Sequence, residues 1–409
     1  MSQATKVPPW QRRLRVALWA AASILALRLG AFTIQSLDSA SHGFVSYYTA
    51  GRLLLEGHDV AGFYDDASFA QQVRRFEPAV TDVHGANTPV MSLVMAPLAT
   101  LDYPTARGVW AFVSYVALLA LLGWLARACR LGQLATPAFI AFALTWQPVY
   151  ENLLHGQFYI VGLAFAVTSF AGWRRESPAC TGIPAGALLA AKSAGLPFWP
   201  MLIAARRWAA LAWVAAVVMV LALASLAVAG GATWLAYARA AGELMRKASL
   251  SVTAYQTQHG LLRHLFVYDA QWNPAPLVHA PAVASSLAIV LAGTLLGVSL
   301  WLAWRRPRGE LVFAAFTALA LILSPVSLDY HYTLALLPVA ILWGEVGGRP
   351  YSWPARLLIV AALGISTDLP YRSPRLAPGV LALLAYPKLY GAYLLWAVAV
   401  WRSVKAPPA

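Results

Sequence analysis

The chain has 409 residues, 60% of them hydrophobic and only 11% charged, with a formal net charge of +14. Apolar runs recur along its whole length, which excludes an ordinary water-soluble domain and indicates an all-α polytopic membrane protein. Lys and Arg stand mostly as short punctuation between those runs, so they are topology signals and no nucleic-acid partner is expected.

Taken from the amino terminus, Lys6, Arg12, Arg13 and Arg15 precede an apolar run over 16–35. That run is too long for the apolar stretch of a cleavable signal and lacks a clear small-residue cleavage site, so it is expected to remain as a first helix with its amino terminus inside. Arg28 lies within it and either snorkels outward or meets a lipid phosphate. Residues 36–88 form a longer polar segment. Within it Phe44, Tyr47, Tyr48, Gly51 and Leu54-Leu55 recur near helical spacing before Gly57, which predicts an amphipathic helix over 43–56 suited to a membrane surface. Residues 89–101 are apolar but short, fitting either a re-entrant segment or a crossing.

Further crossings are expected at 105–126, 135–153, 157–173, 208–230, 280–304, 310–324, 331–347, 353–369 and 382–401, for about 10–13 in all within one integral membrane domain, 1–409. Residues 178–205 read as a hairpin or broken pair split around Lys192 to Pro197, because each half is shorter than the ~20 residues of a full crossing. The polar segment 231–279 mixes aromatic and basic groups, among them Trp234, Tyr237, Arg246, Lys247, Tyr255 and His264, a composition suited to a phosphate- or sugar-bearing ligand.

Basic clusters at Arg127 and Arg130, Arg174 and Arg175, Arg206 and Arg207, Arg305, Arg306 and Arg308, Arg349 and Arg356, and Arg402 and Lys405 are all placed inside, leaving 36–88 and 231–279 as two extracytoplasmic loops carrying short helices. Cys129 and Cys180 then lie near the cytoplasmic face as thiols and define no disulfide framework.

This topology gathers His155-Gly156-Gln157, Lys192, and Asp329 with His331 at the outer ends of their spans, beside the two loops. An ionisable group near the centre of a bilayer costs about 2.5–3.5 kcal/mol on insertion scales, so such a gathering at span ends indicates function.

The segments Phe44 to Arg52 followed by Gly57 and Phe63-Tyr64-Asp65, Asn87-Thr88-Pro89, His155-Gly156-Gln157, Ala185-Gly186-Ala187 through Lys192 to Pro197, Ala205 to Trp208, and Leu323-Ser324-Pro325 through His331 to Pro338 occur in one order. In that order they resemble the bacterial family 87 glycosyltransferases, membrane enzymes of the GT-C class similar to polyprenol-phosphate-mannose-dependent mannosyltransferases. The resemblance implies a hexosyltransferase. It would transfer a glycosyl group with inversion from a polyprenyl-phosphate sugar to a glycolipid or glycan acceptor, on the outer face of the cytoplasmic membrane, with no cofactor and no metal. The partners it implies are membrane lipid, the lipid-linked sugar and the acceptor.

Inverting transfer needs a carboxylate to take the acceptor proton and cations or donors on the departing phosphate. Lys192 and His331 sit where the resemblance places phosphate ligands, with Arg28 as a further lipid-phosphate candidate. Tyr47, Tyr48, Tyr64, Asn87 and Gln157 are candidates for the sugar or acceptor or for packing, and Asp329 for orienting His331. Where the family usually has an Asp before the Phe of the first external helix, this chain has Gly43. Asp38, then Asp59 and His42, are the nearest substitutes in sequence. Thr88 stands where the family usually has Pro. Two other readings stay open: a transporter or flippase, which would also use broken helices though no internal repeat is evident, and a non-catalytic relative that binds a lipid-linked sugar.

Overall fold

A computed structural model describes residues 8–85, 87–346, 352–367, 371 and 373–405. Lys6, Arg349 and the final residues of the expected crossings 331–347 and 353–369 lie outside the described residues. The architecture is all-α: the described residues form helices and short 3-10 turns, with one isolated β-bridge between Asp269 and Asn273.

Among the described residues four helices are each long and apolar enough to cross a membrane, Pro9–Asp38, Tyr103–Ala128, Trp208–Leu244 and Pro281–Arg305. The pair Gly379–Ala385 and Pro387–Lys405, bent by 59°, makes a fifth if it is one span. The other expected crossings are shorter or broken. The one over 135–153 is two helices, Ala135–Ala143 and Gln147–His155, the second starting with Pro148 in its first turn. The one over 331–347 opens as a 3-10 turn, Asp329–Ala335, before the α-helix Leu336–Val346.

Glu310–Ile322 is apolar on every side except at its first residue, and every residue after Glu310 is buried, so it forms the centre of the bundle. The membrane-length helices lie outside it. They turn Leu27, Phe112, Val220, Ile289 and Val290 outward, a surface suited to lipid.

Close helix contact is built from small residues. Pro178–Ala191 carries Gly182 and Gly186 four residues apart, and a Cβ on Gly182 would lie 2.2 Å from the carbonyl oxygen of Ala210, so the helix beginning at Trp208 packs directly on this face. The broken pair anticipated over 178–205 is present, and its break falls at Lys192, whose backbone is extended (φ −147°, ψ 144°).

Two expectations are corrected. The helix Phe44–Leu55 does not lie on a membrane surface, because nine of its twelve residues are buried under the 89–100 segment and the Tyr103–Ala128 helix. The segment after residue 230 does not start as a loop. The Trp208 helix bends at Gly230 (φ 76°, ψ 164°), a left-handed backbone angle that glycine adopts without a Cβ penalty, and continues as helix to Leu244.

The bundle has a basic end and a polar end. Arg174 pairs with Glu310, Arg308 with Glu176, and Arg402 with Glu345, which brings the expected basic clusters together. Tyr159–Arg174 runs 16 residues from there to the polar groups around Tyr159, a rise of about 24 Å.

Candidate functional site

At the polar end a cavity of about 400 Å³ opens between residues 42–87, the break at Lys192, the 240–255 segment and the 325–331 turn. Lys192 enters it because its helix stops one residue earlier. Its Nζ donates to the Tyr47 hydroxyl at 2.9 Å and to Asn87 Oδ1 at 2.5 Å, and lies over the Tyr47 ring at 4.7 Å. The Tyr47 hydroxyl in turn donates to Gln157 Oε1 at 2.6 Å. An ammonium has three donors, so one remains for a ligand.

The partners of Lys192 are themselves fixed. Asn87 is held by its own N–H on the His84 carbonyl at 2.8 Å and by the Tyr64 hydroxyl donating to its carbonyl at 3.0 Å. Gln157 is placed by Gly156, which takes a left-handed angle (φ 59°) just past the helix Gln147–His155 and turns the chain back. Thr88 donates to the Ala190 carbonyl at 2.6 Å, satisfying one of the carbonyls left open where the helix ends.

His331 lines the same cavity. The Leu328 N–H donates to its Nδ1 at 3.1 Å, so the neutral ring carries its proton on Nε2 and offers that as a donor. Its ring stacks on Tyr330 at 4.7 Å and meets the tilted ring of Tyr159 at 4.1 Å. Lysine, imidazole N–H, amide and phenol thus converge on one pocket, an arrangement suited to a phosphate-linked sugar.

Of the residues anticipated from sequence, Lys192, His331, Tyr47, Tyr64, Asn87, Gln157 and His42 come together here. Several others do not. Asp38 is exposed and outside the cavity, because the Arg107 guanidinium, buried in the next long helix, grips the Ser36 and Ser39 carbonyls at 2.5 Å and fixes that turn. Asp59 is an exposed helix cap whose carboxylate accepts the Ala61 N–H at 2.9 Å. Arg28 is exposed on the first helix between outward-facing Leu27 and Ile24, the snorkelling arrangement. Tyr48 packs among Phe44, Phe76 and Tyr103 and donates to the Leu101 carbonyl.

Asp329 does not orient His331. It accepts a hydrogen bond from the Tyr371 hydroxyl, and Lys388 Nζ stands 3.8 Å away. Lys388 also donates to the Ile365 and Thr367 carbonyls at 2.7 and 3.1 Å, so this pair locks the carboxy-terminal helices together.

From the second polar segment, Glu243, Lys247 and Tyr255 reach the cavity, and Lys247 closes its rim on Asp66 at 2.5 Å. His264 is committed to the Tyr386 hydroxyl and the Ala377 carbonyl.

Sequence reasoning missed Asp82. It lines the cavity with one oxygen, Oδ1, accepting its neighbour's N–H at 2.8 Å and the other, Oδ2, buried with no hydrogen-bond partner among the described residues. Burial pushes its pKa up to about 7, against the opposing pull of the Val83 N–H, Lys192 and His155. Nothing in its sequence neighbourhood separates it from other loop carboxylates; only the fold does.

A larger cavity, about 930 Å³, lies at the basic end, among Arg130, Arg305, Arg306 and Arg308, away from this cluster.

The family model described as glycosyltransferase family 87 matches residues 86–327. Over 391 residues the chain is 28% identical to a polyprenol-phosphate-mannose-dependent alpha-(1-2)-phosphatidylinositol pentamannoside mannosyltransferase of Mycolicibacterium smegmatis, covering 90% of this chain and 86% of that protein. No solved structure matches. The family match takes in the Thr88 anchor, Gln157, the Lys192 break and the second polar segment, and with it the chain belongs to glycosyltransferase family 87.

Proposed function

We propose that this multi-pass membrane glycosyltransferase moves a hexosyl group, with mannose the first choice, from a polyprenyl-phosphate sugar to a glycolipid or glycan acceptor. Transfer proceeds with inversion at the outer face of the cytoplasmic membrane. The observation that carries the reading is the Lys192 arrangement, a lysine held by Tyr47 and Asn87 with a donor to spare, beside the Nε2 donor of His331. Those two groups stabilise the negative charge that develops on the phosphate as the glycosidic bond breaks, a role in which a single well-placed donor contributes roughly 10²–10³-fold.

The donor class is supported by the mycobacterial relative, whose name specifies polyprenol-phosphate-mannose dependence. The facing direction is supported by the gathering of the basic clusters at the opposite end of the bundle. The long lipid tail has a natural place along the apolar outer helices, which leaves the sugar and phosphate in the polar cavity.

Purified protein in lipid nanodiscs, given a panel of radiolabelled polyprenyl-phosphate sugars with phosphatidylinositol mannosides and other membrane acceptors, tests this. Transfer from one donor, lost on Lys192→Met, is expected. Transfer from none of the panel, or transfer from a nucleotide sugar instead, would overturn it.

A further inference from the structure

We infer that Asp82 is the general base of the transfer, in place of a carboxylate at position 43. The inference rests on the glycosyltransferase reading above and adds the group that accepts the proton.

Position 43 has no room for a side chain. A Cβ there would lie 2.2 Å from Gln157 Nε2 and 2.7 Å from the His155 carbonyl oxygen, with the Gly43 N–H itself bonded to that carbonyl at 3.1 Å. The space is held by the same Gln157 that anchors Tyr47 and, through it, Lys192. A carboxylate must therefore reach the cavity from another segment.

Among the described residues four do so, and three are otherwise engaged or open to water. Asp65 is exposed and caps the following helix through the Ser68 N–H. Asp66 is paired with Lys247 at the rim. Glu243 is exposed on the long helix. Asp82 differs in having an oxygen that is shielded from solvent and accepts no hydrogen bond from the described residues, on a side chain that lines the wall. A buried acceptor left open costs stability, so an arrangement that keeps one beside a cavity is what a base awaiting a hydroxyl looks like.

The charges that bear on Asp82 are those of Lys192 from the helix break and His155 from the end of its helix, and the neutral phenols of Tyr47, Tyr330 and Tyr255 lie within range of its own charge from three other segments. The cations favour its ionised form, and burial opposes it, which places its titration in the range where a base works at neutral pH.

In the step, the acceptor hydroxyl oxygen forms its bond to the anomeric carbon as the bond from that carbon to the phosphate oxygen breaks. The hydroxyl proton passes to the Asp82 carboxylate. The bonding pair leaves with the polyprenyl phosphate, whose charge Lys192 and His331 meet, and the proton on Asp82 is later lost to water.

The test is transfer from polyprenyl-phosphate mannose to a phosphatidylinositol mannoside, measured alongside donor binding, for wild type and for Asp82→Asn, Asp38→Asn and Asp59→Asn. Asp82→Asn is expected to lower kcat roughly 10²-fold or more while donor Kd changes less than threefold. The Asp38 and Asp59 variants should match wild type. In wild type, kcat/KM should climb about tenfold per pH unit below pH about 7, because the base works only when deprotonated. That rise should be absent from the residual activity of Asp82→Asn. Retention of more than a tenth of kcat, or loss of donor binding in step with kcat, would overturn the assignment. If wild type transfers no sugar, the underlying reading fails, and that result is distinct because it appears before any variant is compared.

Discussion

The Thr88 hydroxyl reaches across to the Ala190 carbonyl at 2.6 Å and so ties the strand-like approach to Asn87 directly to the helix break that presents Lys192. Both ends of the Lys192–Asn87 hydrogen bond are thereby held by one side chain. A proline, which the family resemblance implies at this position, could not make that bond. Thr88→Val keeps the shape and removes the donor, leaving a buried carbonyl unpaired at a cost of about 1–3 kcal/mol. Donor affinity is expected to fall about tenfold, read by donor titration in nanodiscs, with a smaller change in kcat.

Placing at 43 the aspartate that the family resemblance implies there is expected to harm the protein. The new side chain would displace Gln157 and break its link to Tyr47, and overpacking of this kind costs about 1–3 kcal/mol. Gly43→Asp should therefore lower the thermal unfolding midpoint and weaken donor binding. Adding Gln157→Ala, which vacates the space, should recover part of the midpoint. A Gly43→Asp protein that is both as stable as wild type and faster in transfer would show that position 43 still serves as the base site.

Lys388 is fully buried against Asp329, whose chain neighbours Leu328 and Tyr330 line the cavity although neither Lys388 nor Asp329 does. Lys388→Met removes a cation facing the Asp329 carboxylate, which keeps its Tyr371 hydrogen bond, so the loss should fall below the about 3–5 kcal/mol typical of breaking a buried pair from one side. Combining it with Asp329→Asn is expected to recover much of that loss. Thermal unfolding in lipid checks both. Because neither residue lines the cavity, protein that remains folded should bind donor as wild type does.

The fold class was readable because hydrophobic runs and basic punctuation are strong signals in a membrane chain. The break at Lys192 was readable for a related reason, since two half-length apolar pieces flank a lone charge. Much of the cavity wall followed from the family motifs, including Tyr47, Asn87, Gln157, Lys192 and His331. What sequence could not show was which polar residues face inward. Asp38 and Asp59 are nearer to position 43 along the chain than Asp82, yet the Arg107 clamp and a helix cap turn them outward. Asp329 sits beside His331 in sequence, but its carboxylate is drawn to Tyr371 and Lys388, which arrive from residues far along the chain. The burial of Phe44–Leu55 was hidden too, because an amphipathic pattern reads alike whether its apolar face meets lipid or protein.

The most direct test of the central claim, that this cavity holds the phosphate of a polyprenyl-linked sugar, is donor binding by Lys192→Met and His331→Ala protein in nanodiscs. The measurement uses polyprenyl-phosphate mannose, with the unphosphorylated polyprenol as control. Wild type should bind the phosphorylated donor saturably and the polyprenol weakly, and each variant should lose at least tenfold in affinity for the donor while its affinity for the polyprenol stays the same. Unchanged donor affinity in both variants, with folded protein shown by an unaltered unfolding midpoint, would contradict the claim.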